Sequence, residues 1–168
     1  MDAAVVYESE LGNTRAVAEA VADGMRRGLE VELLDVGSAP LPHELDVELL
    51  VVGGPTHALG MSRPSTREDA AKRGGLVVDR GIREWLADSQ ALDVRAAAFD
   101  THVRRPNLPG HAGRKAAKVL QRLGARLVAA PESFYVQDAE GPLLPGELDR
   151  ARAWGAELAG LLPQYAHG

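Results

Sequence analysis

The sequence predicts an α/β fold, a doubly wound parallel sheet with helices on both faces, as a single domain over residues 1–168. Three observations carry that prediction. Apolar runs alternate with helical patterns from end to end. The apolar runs are near-continuous rather than alternating, as in parallel strands covered on both faces. A loop rich in Gly and hydroxyl residues lies where the first run gives way to the first helical pattern, and such a junction suits an anion.

The first strand reads at Ala3 to Tyr7, and Thr14 to Arg27 follows as a helix with Val17, Val21 and Met25 on one face. Val31 to Val36 is the second strand. A short turn near Leu41 to Leu45 stands in for a helix before the third strand at Leu49 to Gly53. Pro55 to Gly75 reads as a long irregular segment, and such loops in compact domains are functional or mobile. Arg80 to Ala87 and His111 to Leu123 read as helices flanking a fourth strand at Ala96 to Phe99. The fifth strand reads at Leu127 to Ala130, resuming at Ser133 to Val136, and Glu147 to Leu162 is the last helix. Trp85 and Trp154 fall in amphipathic patterns and are expected in the core. Right-handed crossovers carry the segments after the first, third and fourth strands to one sheet edge, where ligands bind in open α/β folds.

Composition narrows the function. A 45% hydrophobic, 26% charged chain is expected to bury one ordinary core. No apolar run reaches the roughly 20 residues of a membrane span, and the N-terminus lacks a basic segment followed by an apolar one, so the expected location is cytoplasmic. The absence of cysteine excludes a disulfide framework, a thiol redox centre and a thiolate metal site. Any redox role therefore needs a bound cofactor. A net charge of -5 and 4% aromatic residues argue against nucleic acid and anionic membrane as partners. His43, His111 and His167 have no partners at metal-ligand spacing, so no metal site is expected. Neither a Ser-His-Asp order nor paired carboxylates at a plausible site supports hydrolysis, and Asp100 reads as an exposed-loop acid. Arg63, Arg67, Lys72, Arg73, Arg80 and Arg83, with Arg104-Arg105, are interleaved with Glu68, Asp69 and Asp79, which reads as a solvated mixed-charge surface. A basic lid that recruits NADPH or an anionic substrate is the alternative.

In the loop Ser9-Glu10-Leu11-Gly12-Asn13-Thr14, backbone N–H groups and the helix dipole can cradle a phosphate. It contains no Lys or Arg, which argues against a triphosphate and for a single monoester phosphate. The plainer alternative is a βα turn with Thr14 as helix N-cap. Together with Tyr7-Glu8 before it and Val17-Ala18 after it, this segment resembles the phosphate-loop signature of flavodoxins, and Gly53-Gly54-Pro55-Thr56 is similar to that family's second flavin loop. The length resembles the short-chain type. The resemblance implies a flavodoxin-like three-layer fold with sheet order 2-1-3-4-5, FMN bound without covalent linkage, and one-electron transfer between a reductase and an acceptor. By position, Ser9, Glu10, Leu11, Gly12, Asn13 and Thr14 would hold the FMN phosphate. Pro55, Thr56, His57, Ala58 and Gly60 would cover one side of the isoalloxazine, and Phe99, Asp100, Thr101 and His102 the other. Leu11 stands where the family pattern has a hydroxyl residue, which implies one phosphate hydrogen bond fewer, a loss of about 1 kcal/mol. His57 and Asp100-Thr101-His102 stand where many flavodoxins carry Trp and Tyr. A more open flavin and a less negative potential are the expectations; His57 and His102 either stack on or hydrogen-bond to the isoalloxazine, where they can carry a positive charge near neutral pH, or are solvated loop histidines. A monomer or weak homodimer is expected. The alternatives are an NAD(P)H-dependent quinone or FMN reductase, and a non-redox binding or regulatory domain on the same fold.

Overall fold

The apolar runs form a parallel sheet whose strands bury successive side chains on opposite faces. The computed structural model describes residues 1–57, 60–104 and 110–163. The strands are β1 (Ala3–Tyr7), β2 (Val31–Asp35), β3 (Leu49–Pro55), β4 (Arg95–Val103), β5 (Arg126–Leu127) and β6 (Glu132–Val136). The helices are α1 (Asn13–Met25), α2 (Pro64–Lys72), α3 (Ile82–Ala87), α4 (Ala112–Leu123) and α5 (Glu147–Gly160), with a 3-10 turn at Pro42–Glu44 between β2 and β3. The sheet runs β2-β1-β3-β4-β5, and β6 also pairs with β4, so the fifth position is one strand interrupted between Leu127 and Glu132. This is the expected 2-1-3-4-5 order with the expected break.

Register explains the continuous hydrophobic runs. Ala3 pairs with Leu49 and Val31, and Leu49 pairs with Arg95, so the three central strands start level. Ala3, Val5, Leu49 and Val51 face a core with Val17, Val21, Met25, Trp154 and Leu158 of α1 and α5. Ala4, Val6, Leu50 and Val52 face a second core with Ile82, Trp85, Leu86, Ala116 and Leu120 of α3 and α4. Because both faces are covered, the central strands β1 and β3 carry no charged residue, whereas the edge strand β2 carries Glu32 and Asp35. Trp85 and Trp154 are both buried, as expected.

Two expectations about elements are corrected. Residues 64–72 of the segment read as irregular form α2. Pro64 fills the first helical position, where its missing N–H costs nothing, and Thr66 Oγ1 accepts the Arg63 N–H at 2.9 Å to cap the start. β4 runs to Val103, four residues past its expected end, because its C-terminal half pairs with both β3 and β6.

Candidate functional site

Residues 8–12 turn through the carboxyl edge of the sheet between β1 and α1. Gly12 makes the turn at φ 94°, a left-handed conformation that strains any residue with a Cβ. Ser9 Oγ accepts the Gly12 N–H at 3.1 Å. Gly12, not Thr14, is the N-cap residue of α1 and brings no side-chain acceptor. The amide N–H groups of the first turn are thus left to an external acceptor, with the positive end of the helix dipole behind them. The Thr14 hydroxyl lies 2.8 Å from that of Thr101, tying the start of α1 to β4.

From the second segment, Pro55 ends β3 and Thr56 N–H donates to the Thr101 carbonyl. Thr56 Oγ1 accepts the Ala112 N–H at 3.2 Å, so it serves the start of α4. His57 and Gly60 exchange backbone hydrogen bonds of 2.7 and 3.0 Å as an antiparallel bridge, and Lys115 packs against Gly60. Ala58 lies outside the described residues.

The third segment is strand rather than loop, so its side chains alternate between faces. Thr101 and Val103 face the edge above α1. Phe99 is on the same face but one pair deeper, fully buried against Phe134 and Trp154, and a Cβ on Gly53 would overlap its ring. Asp100 and His102 point to the opposite face. Asp100 is buried rather than exposed, accepts the Gly113 N–H at 2.8 Å, and burial raises its pKa. His102 stacks on His111 with centroids 4.2 Å apart. Of the four residues expected on this side of the flavin, Thr101 borders the cavity at this edge, while the side chains of Phe99, Asp100 and His102 are buried away from it.

That cavity, of about 250 Å³, is bordered by Glu10, Leu11 and Asn13 from the loop, by Pro55, Thr56 and His57, and by Thr101 and Val103. Val136 and Ala139 extend it, and Thr66, Asp69, Ala70 and Arg73 of the α2 region form its far side. Among the described lining residues His57 carries the sole aromatic ring. Sequence reasoning missed the α2 contribution. The signal was Arg63-Pro64 followed by Ser65-Thr66 and a helix-forming run ending at Gly74-Gly75.

Beneath the loop lies a second missed feature. Glu8 and Glu10 are 1% and 2% exposed, so two carboxyl groups are buried together beneath the loop. This corrects the expectation that no paired carboxylates occur at a plausible site. Glu8 Oε1 accepts the Ile82 N–H at 2.7 Å. Glu8 Oε2 and both Glu10 oxygens meet no N–H or hydroxyl donor among the described residues. Desolvation, and then the hydrogen bond and charge of Glu8, push the Glu10 carboxyl up to about 10, so it is neutral at pH 7. Arg67, read from sequence as surface, is buried. It donates to Ser62 Oγ at 2.9 Å and pairs with Glu84 at 2.5 Å. Arg80 and Arg83 are likewise structural, bonding the backbone carbonyls of Val36 and Ala39, and of Met61 and Ser62. His57 Nε2 is 3.8 Å from Glu10 Oε2. Burial lowers the His57 pKa, only partly offset by Glu8, which corrects the expectation of an imidazolium near neutral pH.

The sheet order and the anion-facing start of α1 at its switch point define a doubly wound domain of the flavodoxin-like class. The flavodoxin family profile matches residues 5–101, more than half of the chain. The chain belongs to the flavodoxin family. It is similar in fold to a flavodoxin from the domain Archaea (22% identity, TM-score 0.67, covering 95% of this chain and 97% of that one). It is also similar to oxidised flavodoxin 1 from Bacillus cereus (19%, 0.71, 97% and 100%) and to the Streptococcus pneumoniae TIGR4 flavodoxin (19%, 0.69, 96% and 100%). No curated protein matches the chain at the sequence level.

Proposed function

We propose that the protein binds FMN without covalent linkage and carries electrons between a reductase and an acceptor protein in the cytoplasm, as a monomer or weak homodimer. Membership of the flavodoxin family supports the cofactor. The observation that carries the reading is the Gly12 turn, which opens the first-turn amides of α1 onto the cavity with no Lys or Arg inside the loop. Such a cradle suits a monoester phosphate held by dipoles. The residues present fit that group. Ser9, Glu10, Leu11, Gly12, Asn13 and Thr14 would surround the phosphate. The Ser9 and Thr14 hydroxyls keep hydrogen-bonding capacity beyond their bonds to Gly12 and Thr101. Pro55, His57, Thr101 and Val103 would contact the remainder. Bound FMN supplies the one-electron chemistry, and the chain supplies binding, orientation and electrostatics. A neutral Glu10 avoids placing a carboxylate against the phosphate, and on the far side of the cavity Arg73 offsets the carboxylate of Asp69. Among the described residues no helix is long and apolar enough to cross a membrane.

Arg73 and α2 also favour a second reading, a stand-alone NAD(P)H-dependent quinone or FMN reductase with α2 as its lid. One experiment separates the readings: the purified protein is supplied with FMN, its absorbance recorded, and NADPH added without any partner. The carrier reading predicts bound-flavin bands and negligible NADPH oxidation. Rapid oxidation replaces it with the reductase reading, and a failure to retain FMN leaves a non-redox binding domain.

A further inference from the structure

His57 is hydrogen-bonded on one side and open on the other, and that asymmetry assigns its tautomer. The Thr66 hydroxyl donates to the Arg63 carbonyl at 3.1 Å and lies 3.0 Å from His57 Nδ1. With the one Thr66 hydrogen so used, Nδ1 carries the hydrogen and donates to Thr66 Oγ1. Neutral His57 then presents a bare Nε2 lone pair, and the group it faces is Glu10.

Glu10 has the complementary need. Both of its oxygens and Glu8 Oε2 are buried without a donor from any neighbouring N–H or hydroxyl among the described residues. Two carboxyl groups in one such site can bond only through a proton that one of them holds. The other groups facing the pair do not supply it. Arg67 gives its two terminal nitrogens to Ser62 and Glu84, its buried Nε–H meets no acceptor among the described residues and so makes no bond to either carboxyl, and Glu8 Oε1 is held by the Ile82 N–H. Asp69 and Arg73 lie across the cavity. Glu10 and His57, by contrast, both border it.

We infer that Glu10 and His57 form an internal proton-transfer pair, in which Glu10 stores one proton beneath the loop and exchanges it with the cavity through His57 Nε2. The forward step breaks the Glu10 O–H bond and forms an Nε2–H bond. Each electron pair stays on its heavy atom, and glutamate plus imidazolium replace a neutral acid and a neutral base. No oxidant or co-reactant is needed, and the net charge of the pair is unchanged. A closure of about 1 Å brings the two atoms from 3.8 Å into hydrogen-bond range. What moves is one positive charge, from the loop to the cavity wall. The inference concerns the wall of the proposed FMN site, but the apoprotein already carries every group in it. A failure to bind FMN and a failure of the proton pair are therefore separate results.

The test uses FMN-free protein at pH 7. Infrared spectroscopy is expected to show a protonated carboxyl carbonyl band that shifts in D2O and is lost in Glu10→Gln. Nitrogen-15 NMR is expected to show His57 as the Nδ1–H tautomer, with an Nε2 signal that moves in Glu10→Gln. In His57→Phe, which fills the same space, the carboxyl band should remain but exchange with D2O more slowly than in the wild type. The wild-type spectra decide the storage half without any variant. Absence of the band, or His57 as the Nε2–H tautomer or as imidazolium, overturns the proposal. An exchange rate in His57→Phe equal to the wild type overturns the relay and reduces Glu10 to a sealed acid.

Discussion

At the scale of single residues, Glu10 makes the stability of the fold depend on pH in a direction that can be worked out. Its carboxyl titrates near 4.5 when unfolded and is pushed up to about 10 when folded. The folded state thus binds the proton more tightly. The contribution is fully present below about pH 4.5 and is lost progressively as pH rises toward the folded value. Glu10→Gln keeps the shape and removes the titration. The urea midpoint of the wild type should therefore fall relative to that of Glu10→Gln between roughly pH 5 and pH 8. Parallel midpoints across that range would show that Glu10 is not protonated in the fold. A second residue-scale prediction concerns the hydroxyl bridge between Thr14 and Thr101. Thr14→Val should cost about 1–3 kcal/mol of stability, since it leaves the buried Thr101 hydroxyl without its partner. Thr101→Val added to it should cost less than the sum of the two, and strict additivity in chemical denaturation would remove the bridge from the account.

Among the elements, α1 and α5 approach more closely than any side chain permits. A Cβ on Gly155 would run into the Val21 carbonyl of α1, and one on Gly24 would run into the Arg152 carbonyl of α5. These obstacles are backbone and cannot swing aside. Gly155→Ala gains about 1 kcal/mol of helix propensity but forces the helices apart, at about 1–3 kcal/mol. The net effect should be a lower urea midpoint, and an unchanged or higher one would contradict the packing. The elements also show what sequence reading reaches. The strands and four of the five helices were legible because two-sided burial writes a continuous apolar run and one-sided burial a 3.6-residue period. α2 was not, because its face is mostly polar: Arg67 and Ala70 are its buried residues, and a buried arginine reads as surface. The end of β4 was missed because Asp100, Thr101 and His102 are polar residues that became buried only through pairing with β3 and β6.

For the whole molecule, the sheet gathers at one edge what the chain separates by some 90 residues, from Ser9 to Thr101. The phosphate-loop motif was readable because its chemistry is local: Gly12 takes the turn, Ser9 holds it and α1 starts at once. The walls were less readable. Which of residues 99–102 meet the cavity depends on strand alternation, and Glu8, Arg67 and His57 converge only in three dimensions. The central claim is that the open start of α1 at this edge is built for the phosphate of FMN. The most direct test is a pair of fluorescence-quenching titrations of the flavin-free protein, one with FMN and one with riboflavin, which lacks the phosphate. The account predicts tight FMN binding, much weaker riboflavin binding, and loss of the difference in Gly12→Val. Equal affinity of the wild type for the two flavins would contradict it.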